Sequence, residues 1–261
     1  MKENLACHNI SFMQTREPTH SPAVEDYCKA IFTLQARTEQ PVATNALAER
    51  LGITPGSVSA MLKRLDELGL IEHVPYRGVR LTDDGRKVAL EVIRHHRLLE
   101  LFLAESLDMS WDRVHAEAEV LEHVISEDLE QLIAEKLGNP TLDPHGDPIP
   151  SAELELLEPE TLALDRLQAG DGGVFVRVSD ADPEMLRYLS ELGISPGDRL
   201  LVLERQPFGG PLLVSFGEGE RRFEHAIGGR LAGAMRVQLE TSDRARDGER
   251  EQDDDRESVS A

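Results

Sequence analysis

"TNALAERLGITPGSVSAMLKRLDELGLI", residues 44–71, is the stretch on which the fold turns. Leu47 and Leu51 lie one helical turn apart and Gly52 follows, so a short helix stops there, with Thr44 placed to cap its start. Thr54 can cap a second helix whose first position is Pro55, where a missing N–H costs nothing. Val58, Met61, Leu62, Leu65 and Leu68 keep one apolar face as far as Gly69. Two helices joined by a tight glycine turn, the second longer, predict a helix-turn-helix.

Working outward, Val24, Tyr27, Ile31 and Leu34 recur at intervals of 3, 4 and 3, which predicts a helix ending before Pro41. Downstream, "LIEHVPYRGVRLTDDG" (70–85) holds two weakly alternating runs, Leu70–Val74 and Val79–Leu81, around Pro75 and Gly78. That predicts a small hairpin, the wing of a winged helix. Residues 22–90 are therefore expected to form a winged helix-turn-helix domain. Residues 91–157 form a helical domain, with "VALEVIRHHRLLELFLAESL" (88–107) and "WDRVHAEAEVLEHVISEDLEQLIAEKLG" (111–138) read as two long helices. The second carries an apolar stripe of Val114, Ala118, Leu121, Ile125, Leu129 and Leu132. "NPTLDPHGDPIPSAE" (139–153), with four prolines, reads as a linker. In residues 168–240, "GGVFVRVS", "RLLVLE" and "LLVSF" predict strands and "DPEMLRYLSELG" a helix, together a small β-barrel. The polar ends, 1–21 and 241–261, predict disorder. The fold class is thus mainly α with small β.

The 261 residues carry a formal net charge of −21, which excludes a chain that simply coats nucleic acid. The excess is not evenly spread. Residues 22–90 hold nine basic and nine acidic side chains, and residues 54–64 hold no acid at all. Thr54, Ser57 and Ser59 at the front of the second helix, Lys63 and Arg64 behind them, and Arg77 and Arg80 on the wing are the expected DNA contacts. Few of these can grip a base edge with two hydrogen bonds, so DNA shape should contribute to recognition. The two cysteines, Cys7 and Cys28, form no CxxC pair. With no apolar run of about 18 residues and no signal-peptide core, a cytoplasmic protein without disulfides is expected.

Glu119, Glu122 and His123 fall at i, i+3 and i+4, with His115 one turn earlier and His96 and Glu100 an i, i+4 pair on the preceding helix. Oxygen and imidazole donors together suit Mn(II), Fe(II) or Zn(II). The alternative is a solvated acidic helix face. His73 and His145 are expected on the surface.

"EDYCKAIFTL" (25–34), "YRGVRLTDDGRKVA" (76–89), "HHRLLELFL" (95–103), "VHAEAEVLEHVISEDLEQLI" (114–133) and "GDPIP" (146–150) together resemble the diphtheria toxin repressor family of metal-dependent transcriptional regulators, and most of all its manganese transport regulators. "LGISPGDRLLVLE" (192–204) resembles the SH3-like domain that many members carry. The resemblance implies a primary metal site at Asp26, Glu119, Glu122 and His123, and an ancillary one at His96, Glu100 and His115 with Asp180 as a further candidate. Carboxylates at 26 and 119, where the iron-sensing branch has Met and Cys, make Mn(II) the expected metal and Fe(II) the alternative. Lys29 stands where two-domain manganese regulators have a second acidic ligand, which implies two separate sites rather than a coupled pair. The implied protein is a homodimeric repressor of metal-uptake genes in which crowded carboxylates repel one another until metal sets two recognition helices about 34 Å apart. A metal-dependent hydrolase is disfavoured, because no general base lies outside the cluster, so no enzyme is expected. A metal-independent winged-helix regulator remains the other reading.

Overall fold

The computed structural model describes residues 20–38 and 40–240. The expected tails lie almost wholly outside these residues. The chain divides into two compact units.

The first unit begins with α1 (Pro22–Thr38), α2 (Thr44–Leu51) and α3 (Pro55–Glu67), then the hairpin of β1 (Ile71–Val74) and β2 (Gly78–Leu81). Thr54 caps α3 as expected, accepting a hydrogen bond from the Ser57 N–H, and Pro55 opens the helix. Thr44 does not cap α2: it is the first helical residue, and Ala43 holds the cap position without a side-chain hydrogen bond. Gly52 ends α2 at φ 66°, a left-handed conformation that glycine adopts without a Cβ clash. The core joins Val24, Tyr27 and Ile31 of α1 to Leu47 of α2, Val58, Leu62 and Leu65 of α3, and Ile71 and Val79 of the wing. Each such buried side chain contributes about 2 kcal/mol. Leu68, expected on this face, is exposed, because α3 has ended before it. Val42 exchanges two backbone hydrogen bonds with Val79 and so lengthens the wing by one bridge.

α4 (Asp83–Leu107) is a single helix of 25 residues. It runs through position 90, where the sequence suggested a boundary, so the winged-helix and helical segments share one continuous helix and fall in the same unit. The segment expected to be one helix over 111–138 is two, α5 (Trp111–Leu121) and α6 (Glu127–Lys136). The break has a local cause. Val124 and Ile125 are β-branched, and the Ser126 side chain accepts the Leu129 N–H to cap α6, with Glu127, Asp128 and Glu130 in its first turn. The break splits the apolar stripe: Val114 and Ala118 are buried, whereas Leu129 and Leu132 are exposed. The proline-rich stretch is ordered rather than a free linker. Ile149 packs with Leu98, Leu99 and Ile133 in the first unit, and residues 144–148 belong to the second. His145 is fully buried, not on the surface, and its Nε2 lies 2.8 Å from the Trp111 carbonyl oxygen.

The second unit contains β3 (Leu162–Ala163), β4 (Gly172–Val178), α7 (Pro183–Leu192), β5 (Arg199–Arg205), β6 (Leu212–Phe216), β7 (Phe223–Ile227), α8 (Gly229–Ala234) and β8 (Met235–Leu239). Its antiparallel sheet has the order β3-β8-β4-β5-β6-β7. The expected barrel is not closed by hydrogen bonding: among the described residues the edge strands β3 and β7 do not pair. Phe175, Val202, Val214, Phe216 and Val237 fill the core beneath α7 residues Leu186 and Leu189. β3, β7 and β8 escaped the sequence reading because "LA" and "FEHAI" are short or alternate with charge.

Candidate metal centre and DNA-reading face

α1, α4, α5 and the turn after α5 bring the candidate ligands together inside the first unit. The turn matters most. After Leu121 the helix tightens, with the Glu122 N–H bonded to Ala118 and the Val124 N–H to Leu121 only three residues back. Glu122 and His123 therefore sit at the C-terminal end of α5, where unpaired carbonyls favour a cation.

His123 Nε2 lies 2.9 Å from Asp26 Oδ1 and 3.5 Å from Glu122 Oε1. These three residues each place one donor atom within 4.8 Å of the others. Glu119 does not join that group. It groups instead with His96 and Glu122, so Glu122 is shared between two clusters. On the far side, His96 Nε2 is 3.0 Å from Glu100 Oε1 and 3.0 Å from His115 Nδ1. His96 Nδ1 faces Glu122 Oε2 at 2.5 Å. All seven residues singled out in the sequence thus form one continuous chain of donors, from Asp26 to His115.

One residue in the cluster, Glu25, was not anticipated, and Lys29, noted only as departing from an acidic ligand, takes a more direct part than expected. Glu25 Oε2 lies 2.6 Å from His123 Nδ1, behind the imidazole. Lys29 Nζ lies 2.7 Å from Glu119 Oε1, 2.7 and 2.9 Å from the two Glu122 oxygens, and 3.2 Å from His96 Nδ1. The crowded carboxylates are thus not a purely acidic cluster: a lysine side chain lies among them. Glu25 was overlooked because it adjoins Asp26, and the resemblance placed Lys29 near the site without showing which carboxylates it would meet.

Electrostatics follows the geometry. Burial raises the pKa of Asp26, and the nearby Glu122 adds to this against the pull of His123. Burial also works against an ionised Glu122, but the His96 hydrogen bond and the Lys29 charge outweigh it and hold its carboxyl below the usual value. Burial disfavours a charged His96, yet its bonds to Glu100 and Glu122 raise its pKa on balance. Carboxylate oxygens and imidazole nitrogens at these spacings fit a divalent ion that accepts hard donors.

The expected DNA contacts lie on α3 and the wing. Thr54, Ser57, Ser59, Lys63, Arg64 and Arg77 are exposed and Arg80 is half-buried. The hydroxyls already have local work: Thr54 Oγ1 lies 3.0 Å from Ser57 Oγ, and Ser59 Oγ donates to the Pro55 carbonyl. Tyr76, at the wing tip with φ 61°, is fully exposed and was not anticipated.

Three family models match this chain in order. The iron dependent repressor N-terminal DNA binding domain covers residues 20–79, the iron dependent repressor metal binding and dimerisation domain 82–151, and the FeoA domain 162–239. The iron-dependent repressor IdeR of Mycobacterium tuberculosis is 34% identical over 215 residues, spanning 78% of this chain and 93% of that one. The chain belongs to the iron-dependent repressor family. Within this family, the transcriptional regulator MntR of Escherichia coli is 37% identical over 125 residues, covering 48% of this chain and 79% of its own. A solved manganese-dependent transcriptional repressor in complex with manganese superposes with a TM-score of 0.77 at 43% identity, over 83% of this repressor and all of that chain. Among the described residues of this repressor, no helix is long and apolar enough to cross a membrane.

Proposed function

We propose that this family member is a Mn(II)-responsive repressor, with Asp26, Glu119, Glu122 and His123 as its primary metal ligands and His96, Glu100 and His115 as a second set. The observation that carries the reading is the split origin of the first cluster. Asp26 stands on α1, whose other face is part of the core of the DNA-reading segment, whereas Glu122 and His123 stand at the end of α5. A divalent cation held by these side chains supplies positive charge that ties α1 to α5. Asp26 and His123 fix the rotation of α1 about its axis, and with it the position of α3. Glu122, fully buried, needs cationic partners to stay ionised there. Val120, Val124, Leu129 and Leu132 are exposed apolar side chains of the α5–α6 region, and they offer the second protomer of a homodimer its contact face. Two α3 helices about 34 Å apart would then enter successive major grooves, with Lys63, Arg64, Arg77 and Arg80 on phosphates.

Oxygen donors at 26 and 119, with no thiolate in the cluster, favour Mn(II); the similarity to a manganese-dependent repressor points the same way. Fe(II) is the second reading, favoured by the iron-dependent relatives. The target genes are those of metal uptake, the protein works in the cytoplasm, and it catalyses no reaction. The functional segments are 22–90 for DNA, 91–157 for metal and dimerisation and 168–240 for the SH3-like domain.

The test is a fluorescence anisotropy titration of chelator-stripped protein on DNA from upstream of the host's own metal-uptake genes, with Mn(II), Fe(II) and Zn(II) in turn at fixed ionic strength. Mn(II) should tighten binding at the lowest free concentration. Activation by Fe(II) well below that of Mn(II) would move the assignment to iron, and equal binding under chelator would leave a metal-independent regulator.

A further inference from the structure

Lys29 bridges the two halves of the donor cluster. Its ammonium reaches Glu119 at 2.7 Å and both oxygens of Glu122 at 2.7 and 2.9 Å, and its side chain is only 18% exposed. Those two carboxylates, with His96, form a group whose donor atoms lie close enough together to hold a metal ion. A protonated amine therefore stands in the place of an ion. It comes from α1, one turn after Asp26, so α1 presents a carboxylate to His123 and a cation to Glu119 and Glu122 along the same face. The buried Glu122 carboxylate gains from this contact what an unpaired carboxylate would lack.

We propose that the Lys29 ammonium is a tethered internal cation that competes with the metal for Glu119 and Glu122, and so sets the metal concentration at which the repressor responds. The inference rests on the metal-ligand reading given above. The contact ties α1 to the two carboxylates, so the lysine charge offsets theirs whenever no ion does. A divalent ion entering among Asp26, Glu119, Glu122 and His123 meets the lysine charge at close range, and Lys29 must yield at least one of its carboxylate contacts. Both effects weaken metal binding, the first by stabilising the free state and the second by like-charge repulsion. Lys29 also fills the space between the two clusters, which keeps a third ion out of the His96–Glu119–Glu122 group.

The experiment is isothermal titration calorimetry of manganese(II) chloride into the chelator-stripped full chain, comparing wild type with Lys29→Gln and, should that variant fold poorly by circular dichroism, Lys29→Met. Removing the charge should tighten Mn(II) binding by about tenfold or more. It should lower the melting temperature of the metal-free protein and reduce the Mn(II) concentration that half-saturates operator binding. Damage to the fold alone would weaken Mn(II) binding, so a gain in affinity separates the two explanations. Wild-type or weaker affinity in a folded variant would overturn the inference while leaving the metal site intact. Failure of the wild-type chain to bind Mn(II) at all would overturn the metal-site reading, and this inference with it.

Discussion

His123 is gripped from both ring nitrogens, by Glu25 at 2.6 Å on Nδ1 and by Asp26 at 2.9 Å on Nε2. A carboxylate behind an imidazole fixes which nitrogen faces the site and makes that nitrogen a better donor. Glu25→Ala should therefore lower Mn(II) affinity by about ten- to a hundredfold while Asp26 and Glu122 remain in place, a loss readable by calorimetry. Unchanged affinity would mean that Glu25 does not act through His123. Glu119→Ala should abolish metal-dependent DNA binding with the fold intact by circular dichroism; a normal metal response would remove Glu119 from the ligand set. The spacing of Glu119, Glu122 and His123 marked them as candidates in the sequence, but not that Glu119 and His123 would fall into two groups sharing Glu122. Asp26, His96, Glu100 and His115 needed the family resemblance or a second helix to find a partner. Glu25 and Lys29 could not be placed by spacing, because their roles depend on which side of α1 meets α5, and that is a matter of packing.

Between elements, α4 and α6 are joined by a buried tie. Glu130 receives Arg94 Nε at 2.5 Å and faces His95 Nε2 at 2.9 Å, while Arg94 Nη1 donates to the Pro150 carbonyl. Burial would raise the Glu130 pKa, but His95 and Arg94 outweigh it and lower it. A carboxylate whose folded pKa is depressed adds stability above its unfolded value, here 4.5, and loses it as pH falls through the folded value. Glu130→Gln should accordingly cost about 2–3 kcal/mol near pH 6.5, with the gap to wild type closing as the pH falls below about 4.5. Urea denaturation of metal-free protein across that range reads it, and a gap that stays constant would dismiss the carboxylate's charge as the cause. The wing is set by Gly78, at φ 123°, where an added Cβ would lie 2.1 Å from the Val42 carbonyl oxygen. Gly78→Ala should cost more than about 3 kcal/mol and loosen the Val42–Val79 bridge, seen as faster amide exchange at Val79. α3 with its Thr54 cap and Pro55 start was legible because the signals are local. The break after α5 was not, since a continuous heptad-like stripe concealed the Ser126 cap, and the exposed half of that stripe makes sense only with a partner protomer.

Over the whole molecule, the net charge of −21 lies outside the 22–90 segment, whose nine basic and nine acidic side chains balance, so that segment is the part least opposed to a polyanion. Arg80→Ala should weaken all DNA sequences about equally and reduce the salt slope of binding by about one, measured by anisotropy between 50 and 200 mM salt as order-of-magnitude limits. A loss confined to one operator sequence would instead assign Arg80 to base reading. Composition shifts and glycine-proline punctuation suggested three blocks where the structure forms two compact units, and the continuity of α4 across position 90 was not legible, because no local signal marks a helix shared by two segments. His96 and Glu100 of the candidate cluster lie on the same helix whose first turns pack against the wing strand β2, which is the route by which the proposed metal response would reach the DNA-reading segment. The decisive measurement is operator affinity with Mn(II) and with chelator, at constant ionic strength, in wild type and in Asp26→Ala. The account predicts that Mn(II) tightens wild-type binding by about thirtyfold or more and that Asp26→Ala binds the operator equally weakly in both conditions. Equal wild-type binding with Mn(II) and with chelator, or a normal Mn(II) response in Asp26→Ala, would contradict it.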